Sequence, residues 1–139
     1  EEVSPTKLVP NIQGREVGAF RSAIPPHTTE PPQIHLIAAR DGKPFQELIT
    51  NQDRKLLVAY FDPRTRGYRT EEHTPGRDLI IPSFKIHWLI NPNDTRLNFT
   101  CEYAPSPWDG DNDEPEFPNL SALMAFVESE GLMQQLMDA

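Results

Sequence analysis

Four histidines, His27, His35, His73 and His87, carry most of the chemistry this chain can offer. Imidazole is the usual side chain for moving a proton near neutral pH and a common ligand for transition metals. No His-x-His occurs, and His27, His35 and His73 lack the spacing of a ligand set, so neither a metal nor another cofactor is expected. His87 stands apart because it interrupts the apolar run Ile86-His87-Trp88-Leu89-Ile90. The acidic stretch from Trp108 to Glu116 offers Asp109, Asp111 and Asp113 as hard oxygen donors for calcium. Glu114 and Leu120 occupy the places where a calcium loop needs glycine and glutamate, so a solvated acidic loop is expected.

The elements that must position His87 are legible on both sides of it. Asp78 to Ile81 is a short aliphatic strand stopped by Pro82, which has no amide to continue a ladder. Ser83, Phe84 and Lys85 make the bend, and Ile86 to Ile90 is too short and apolar for a surface helix, so it reads as a second, nearly buried strand. Alternation puts His87 on one side with Leu89 and Asn91. Asn91-Pro92-Asn93-Asp94 then supplies turn chemistry.

Further out, fifteen prolines argue against long helices and for short strands. Residues 1–33 read as an extended Pro-rich arm with one strand near Val17 to Ile24. Strands follow at Ile34 to Ala39, Phe45 to Thr50, Lys55 to Phe61 and Tyr68 to Glu72, the first ended by the hairpin signal Asp41-Gly42. Arg96 to Tyr103 alternates apolar and polar, the period of a half-buried strand. From Asn119 the pattern changes: Leu120, Leu123, Met124 and Val127 share a helix face, capped by Asn119 or Ser121 and stopped at Gly131, with Leu132 and Leu136 able to continue it. Residues 34–118 would be the barrel and 119–139 a helix packed on it.

At 139 residues one domain with its own core is expected. A net charge of −8 opposes general binding to nucleic acid or an anionic membrane. The lone Cys101, the lack of an apolar run of about eighteen residues and the lack of a signal-peptide pattern point to the cytoplasm. The sequence opens on Glu1, which leaves a removed segment open.

Gly76, Pro82, His87 and Asn91 resemble the second sequence motif of the cupin superfamily, with Phe84 where that motif has glycine. The resemblance implies an all-β, double-stranded β-helix (jelly roll) with the N-terminal arm and C-terminal helix outside it, and a bend that accepts a residue with a Cβ. Val58-Ala59-Tyr60-Phe61-Asp62-Pro63-Arg64, Ile80-Ile81-Pro82, His87, Asn93-Asp94-Thr95 and Tyr103-Ala104-Pro105 are similar in order to the dTDP-4-dehydrorhamnose 3,5-epimerases and other sugar-nucleotide cupins. That likeness implies a metal-independent cupin binding a small polar or carbonyl substrate, such as a nucleotide sugar, with isomerisation, epimerisation or cyclisation as the chemistry open to it. His87, His35 and Tyr103 are its candidate catalytic residues, Phe99 and Leu97 standing where those enzymes have their tyrosine. Tyr60, Arg64, Glu47 and Asn91 are candidates for binding substrate. Glu47 also falls where the first cupin motif has its glutamate, but Arg40 to Lys43 replace the histidines upstream, so no metal is implied. A metal-dependent lyase or dioxygenase, and a non-catalytic ligand-binding or assembly module, remain alternatives. A homodimer through strand or arm exchange is expected.

Overall fold

The computed structural model describes residues 2–5, 9–12, 15–35, 46–104 and 117–138. Ten strands lie among them: β1 (Glu2–Pro5), β2 (Val9–Ile12), β3 (Arg15–Ile24), β4 (Thr28–Thr29), β5 (Gln46–Thr50), β6 (Leu56–Asp62), β7 (Gly67–His73), β8 (Leu79–Pro82), β9 (His87–Asn91) and β10 (Leu97–Ala104). Two helices follow, α1 (Leu120–Ser129) and α2 (Met133–Asp138). One antiparallel sheet runs β1-β3-β10-β5-β8, with β2 also paired to β3; the other runs β4-β9-β6-β7. The segment expected as an arm thus contributes β3, which pairs with β10 over Gly18 to Ile24 and lies inside the larger sheet. Of the strand expected at Ile34 to Ala39, only Ile34 and His35 are among the described residues and neither is in a strand; the Asp41-Gly42 hairpin and the acidic stretch 108–116 fall outside them.

Period-two patterning decides which side chains enter the space between the sheets. In β10, Leu97, Phe99 and Cys101 are buried while Asn98 is exposed, and they meet Ile24, Ile49, Leu56, Val58, Leu79, Ile81 and Leu89 in one apolar core. Part of the outer face of the smaller sheet, around Phe61 and the bend before β9, is covered as well. Phe61 and Ile86 pack with Ile34, Leu123, Met124, Val127 and Leu136, the buried stripe of the two helices. Burying each such aliphatic side chain contributes about 1.5–3 kcal/mol, which holds helices this short in place. Asn119 is the cap: its side chain accepts from the Ala122 amide at 2.9 Å. Gly131, at φ +67°, ends α1 in the left-handed region. No helix among the described residues is long and apolar enough to cross a membrane.

The bend before β9 departs from expectation. Phe84 sits at φ +62°, so the chain keeps a left-handed turn despite the Cβ, where a conformation friendlier to side chains was expected. Two contacts hold it there: its amide donates to the His35 carbonyl at 2.8 Å, and its ring packs partly buried against the cluster under the helices. Such a conformation costs a non-glycine residue about 1–2 kcal/mol. Phe84→Ala, which loses the ring and keeps the strain, is therefore expected to be less stable than Phe84→Gly by about 1 kcal/mol in urea unfolding. Equal stabilities would mean the turn relaxes in both.

Candidate functional site

His87 enters the space between the sheets from β9 and is fully buried. Its Nδ1 lies 2.9 Å from the Lys85 carbonyl, which can only accept, so Nδ1 carries a hydrogen and the lone pair of the neutral ring is on Nε2. Nε2 has no hydrogen-bond partner, and it lies 3.4 Å from Glu47 Oε1. Glu47 comes from β5 in the opposite sheet, where it pairs with Ile81 and Tyr103, and it is 1% exposed.

His35 completes the group by a route no local pattern announces. An isolated bridge lays residue 33 beside β9: the Gln33 amide donates to the His87 carbonyl at 2.8 Å, and the His87 amide to the Gln33 carbonyl at 3.0 Å. Two residues on, His35 Nε2 stands 2.6 Å from Glu47 Oε1, and its ring centroid is 5.2 Å from that of His87. The expectation that His35 lacks ligand spacing is thereby corrected. His35, Glu47 and His87 each present a ligand atom, and these atoms all lie within 4.8 Å of one another. His27 and His73 lie elsewhere, His27 on Asp94 at 2.6 Å and His73 at 3.6 Å from Glu71.

Burial alone would raise the Glu47 carboxyl, but the positive field and hydrogen bond of His35 are the leading influences against it, and Glu47 is held well below the usual carboxylate range. Cys101, which the sequence reading passed over, places Sγ 3.4 Å from Glu47 Oε2. The signal was present in the alternation of β10, which puts Cys101 on the inward face. Oε1 is thus shared by the imidazoles while the thiol holds Oε2.

The other candidates are placed differently. Tyr60 is the register partner of His87 across β6 and β9, so it projects to the same side, and it is 8% exposed. Burial first, then Glu71, pushes its phenol up to about 12, so it keeps its proton at neutral pH. Arg64, in the turn between β6 and β7, donates from Nη2 to the Met137 carbonyl at 2.7 Å. It lines a cavity of about 370 Å³ that Tyr60 also lines.

Asn91 was expected to bind substrate, but its side chain is fully engaged within the protein, mostly with backbone. Its Nδ2 donates to the carbonyls of Ile24, Pro25 and Thr95, and its Oδ1 accepts from the Asn93 amide, making the turn that its sequence suggested. Tyr103 is placed by register alone, opposite Glu47 on one side and Gly18 on the other.

No protein-family profile and no curated protein matches this sequence. Solved structures do share its shape. The formate complex of oxalate decarboxylase from Lactobacillus farciminis superposes with a TM-score of 0.57 at 17% identity, over 89% of this chain and 32% of that one. An RmlC-like cupin family protein with a double-stranded β-helix fold, from Methanocaldococcus jannaschii, gives 0.51 at 16% identity, over 78% of this chain and 80% of the other. Oxalate oxidase gives 0.51 at 18% identity, over 88% of this chain, which spans 62% of that enzyme's length. At such identities the likeness is one of fold. Two facing antiparallel sheets, the Gly76, Pro82, His87 and Asn91 spacing and these structural neighbours give the chain the double-stranded β-helix fold of the cupins.

Proposed function

We propose that the protein is a cupin that holds one divalent transition-metal ion between His35, Glu47 and His87 and acts on a small carbonyl- or carboxylate-bearing molecule there. The observation that carries this reading is the buried Nε2 of His87, which has no hydrogen-bond partner and, in the neutral ring, turns its lone pair toward a carboxylate oxygen 3.4 Å away. Two buried lone pairs in that arrangement repel, and a shared cation turns the repulsion into attraction. Two imidazoles and one carboxylate suit divalent iron, manganese, nickel or zinc. A metal bound there supplies a Lewis acid able to polarise a substrate oxygen. The chain's own residues prepare the place: the Lys85 carbonyl fixes the His87 tautomer, Cys101 steadies the second oxygen of Glu47, and Tyr60 keeps a proton on the same face as His87.

The 2.6 Å contact between His35 and Glu47 favours a second reading. A histidine backed by a carboxylate is a competent proton acceptor, which supports metal-independent isomerisation, epimerisation or cyclisation of a carbonyl substrate such as a nucleotide sugar, with Tyr60 as the partner acid. Elemental analysis of protein purified without chelators separates the two. About one iron, manganese, nickel or zinc per chain, lost in His87→Ala, is the expected result. Metal-free protein that isomerises a nucleotide sugar would favour the second reading, and protein with neither property would be a binding module.

A further inference from the structure

The cavity at the β6–β7 turn has a charge opposite to that of the molecule. Of its lining side chains three are cations, Arg64, Arg69 and Lys85, and one is a carboxylate, Asp62, in a chain whose net charge is −8. Asp62 is already occupied by the Arg64 amide at 2.8 Å. Arg69 and Lys85 converge on one aromatic ring: Arg69 Cζ is 5.1 Å and Lys85 Nζ 5.8 Å from the Tyr60 centroid. The ring attracts each cation, while the two repel one another. Arg69 has Glu71 as a partner, whereas Lys85 has no carboxylate within salt-bridge distance among the described residues. A volume of about 370 Å³ is at the lower end of the range for small-molecule sites.

Lys85 also faces two ways. Its side chain lines the cavity, and its carbonyl fixes the His87 ring. Tyr60 likewise lines the cavity and stands opposite His87 in register. The cavity therefore shares two residues, Lys85 and Tyr60, with the immediate surroundings of His87.

We propose that this cavity binds the oxyanion group, phosphate or carboxylate, of a small molecule, with Lys85 and Arg69 as its charged walls and Tyr60 as its floor. That the occupant is the substrate rests on the reading of the histidine group given above; that the cavity takes an oxyanion does not. An anion between the two cations relieves their repulsion, and the planar guanidinium of Arg69 can grip two of its oxygens at once.

Isothermal titration calorimetry of the whole chain at low ionic strength, with inorganic phosphate and separately with malonate, tests this. Saturable binding is expected, weakened about tenfold in Lys85→Gln and in Arg69→Gln and unchanged in Arg77→Gln, an exposed cation outside the cavity. Tighter phosphate binding assigns the site to phosphate esters, and tighter malonate binding to carboxylates. His87→Ala, designed to empty the metal group, is expected to keep oxyanion binding. The proposal falls if neither anion binds the wild type, if both cavity variants bind as well as wild type, or if His87→Ala abolishes binding, which would put the anion on a metal. Matching melting temperatures of the Lys85 and Arg69 variants and wild type check that a loss is local.

Discussion

Glu47→Gln is expected to lower affinity for divalent metal by at least about a hundredfold while leaving the barrel folded. Glutamine keeps the size of the side chain and an oxygen able to accept from His35, so packing and most hydrogen bonding persist. It removes the only negative charge among the three buried donors. Imidazole is a neutral ligand, and two of them in a dry site leave a divalent cation without the anion that offsets its desolvation. Competition against a fluorescent chelator measures the change, with circular dichroism as the check on folding. Wild-type affinity in Glu47→Gln would exclude the carboxylate as a ligand.

Asn91→Ala should produce the largest loss of stability of any single change discussed, about 3–4 kcal/mol in urea unfolding, with little change in metal affinity. The Asn91 amide reaches the Ile24 carbonyl at 2.9 Å, the Pro25 carbonyl at 3.0 Å and the Thr95 carbonyl at 2.9 Å, and its oxygen accepts from the Asn93 amide at 2.8 Å and from Asn93 Nδ2 at 2.7 Å. The side chain is wholly buried, so alanine would leave these groups unsatisfied where water has little access. Asn91→Asp is expected to do no better, because it sets a second oxygen against three carbonyls. A cost below about 1 kcal/mol for Asn91→Ala would show that the turn holds without it.

The sequence carried the framework well. Proline at position 82, alternation through Leu97, Phe99 and Cys101, and the cap at Asn119 are local signals, and each became the element it suggested. The failures share a cause, which is that side chains were judged by their neighbours in sequence. His35 was a catalytic candidate but was rejected as a metal ligand because its spacing in sequence does not suit one, yet a bridge between Gln33 and His87 brings it to Glu47. Asn91 looked available to a ligand because a lone asparagine after an apolar run carries no sign of the three carbonyls that use it. Phe84 was expected to change the turn, but a contact with the His35 backbone and packing under the helices keep the left-handed shape. Lys85 and Arg69 escaped notice because two cations meeting over one tyrosine is a product of sheet register.

Glu47 belongs to one sheet, while His87 belongs to the other and His35 is bridged to it. Among the described residues no ladder runs directly from one sheet to the other; between them lie mostly apolar side chains, which can slide with little directional penalty. An ion gripped from both sides would act as a rivet through the layers. Filling or emptying that position would then alter how freely the two halves of the barrel breathe against each other, with every strand still intact.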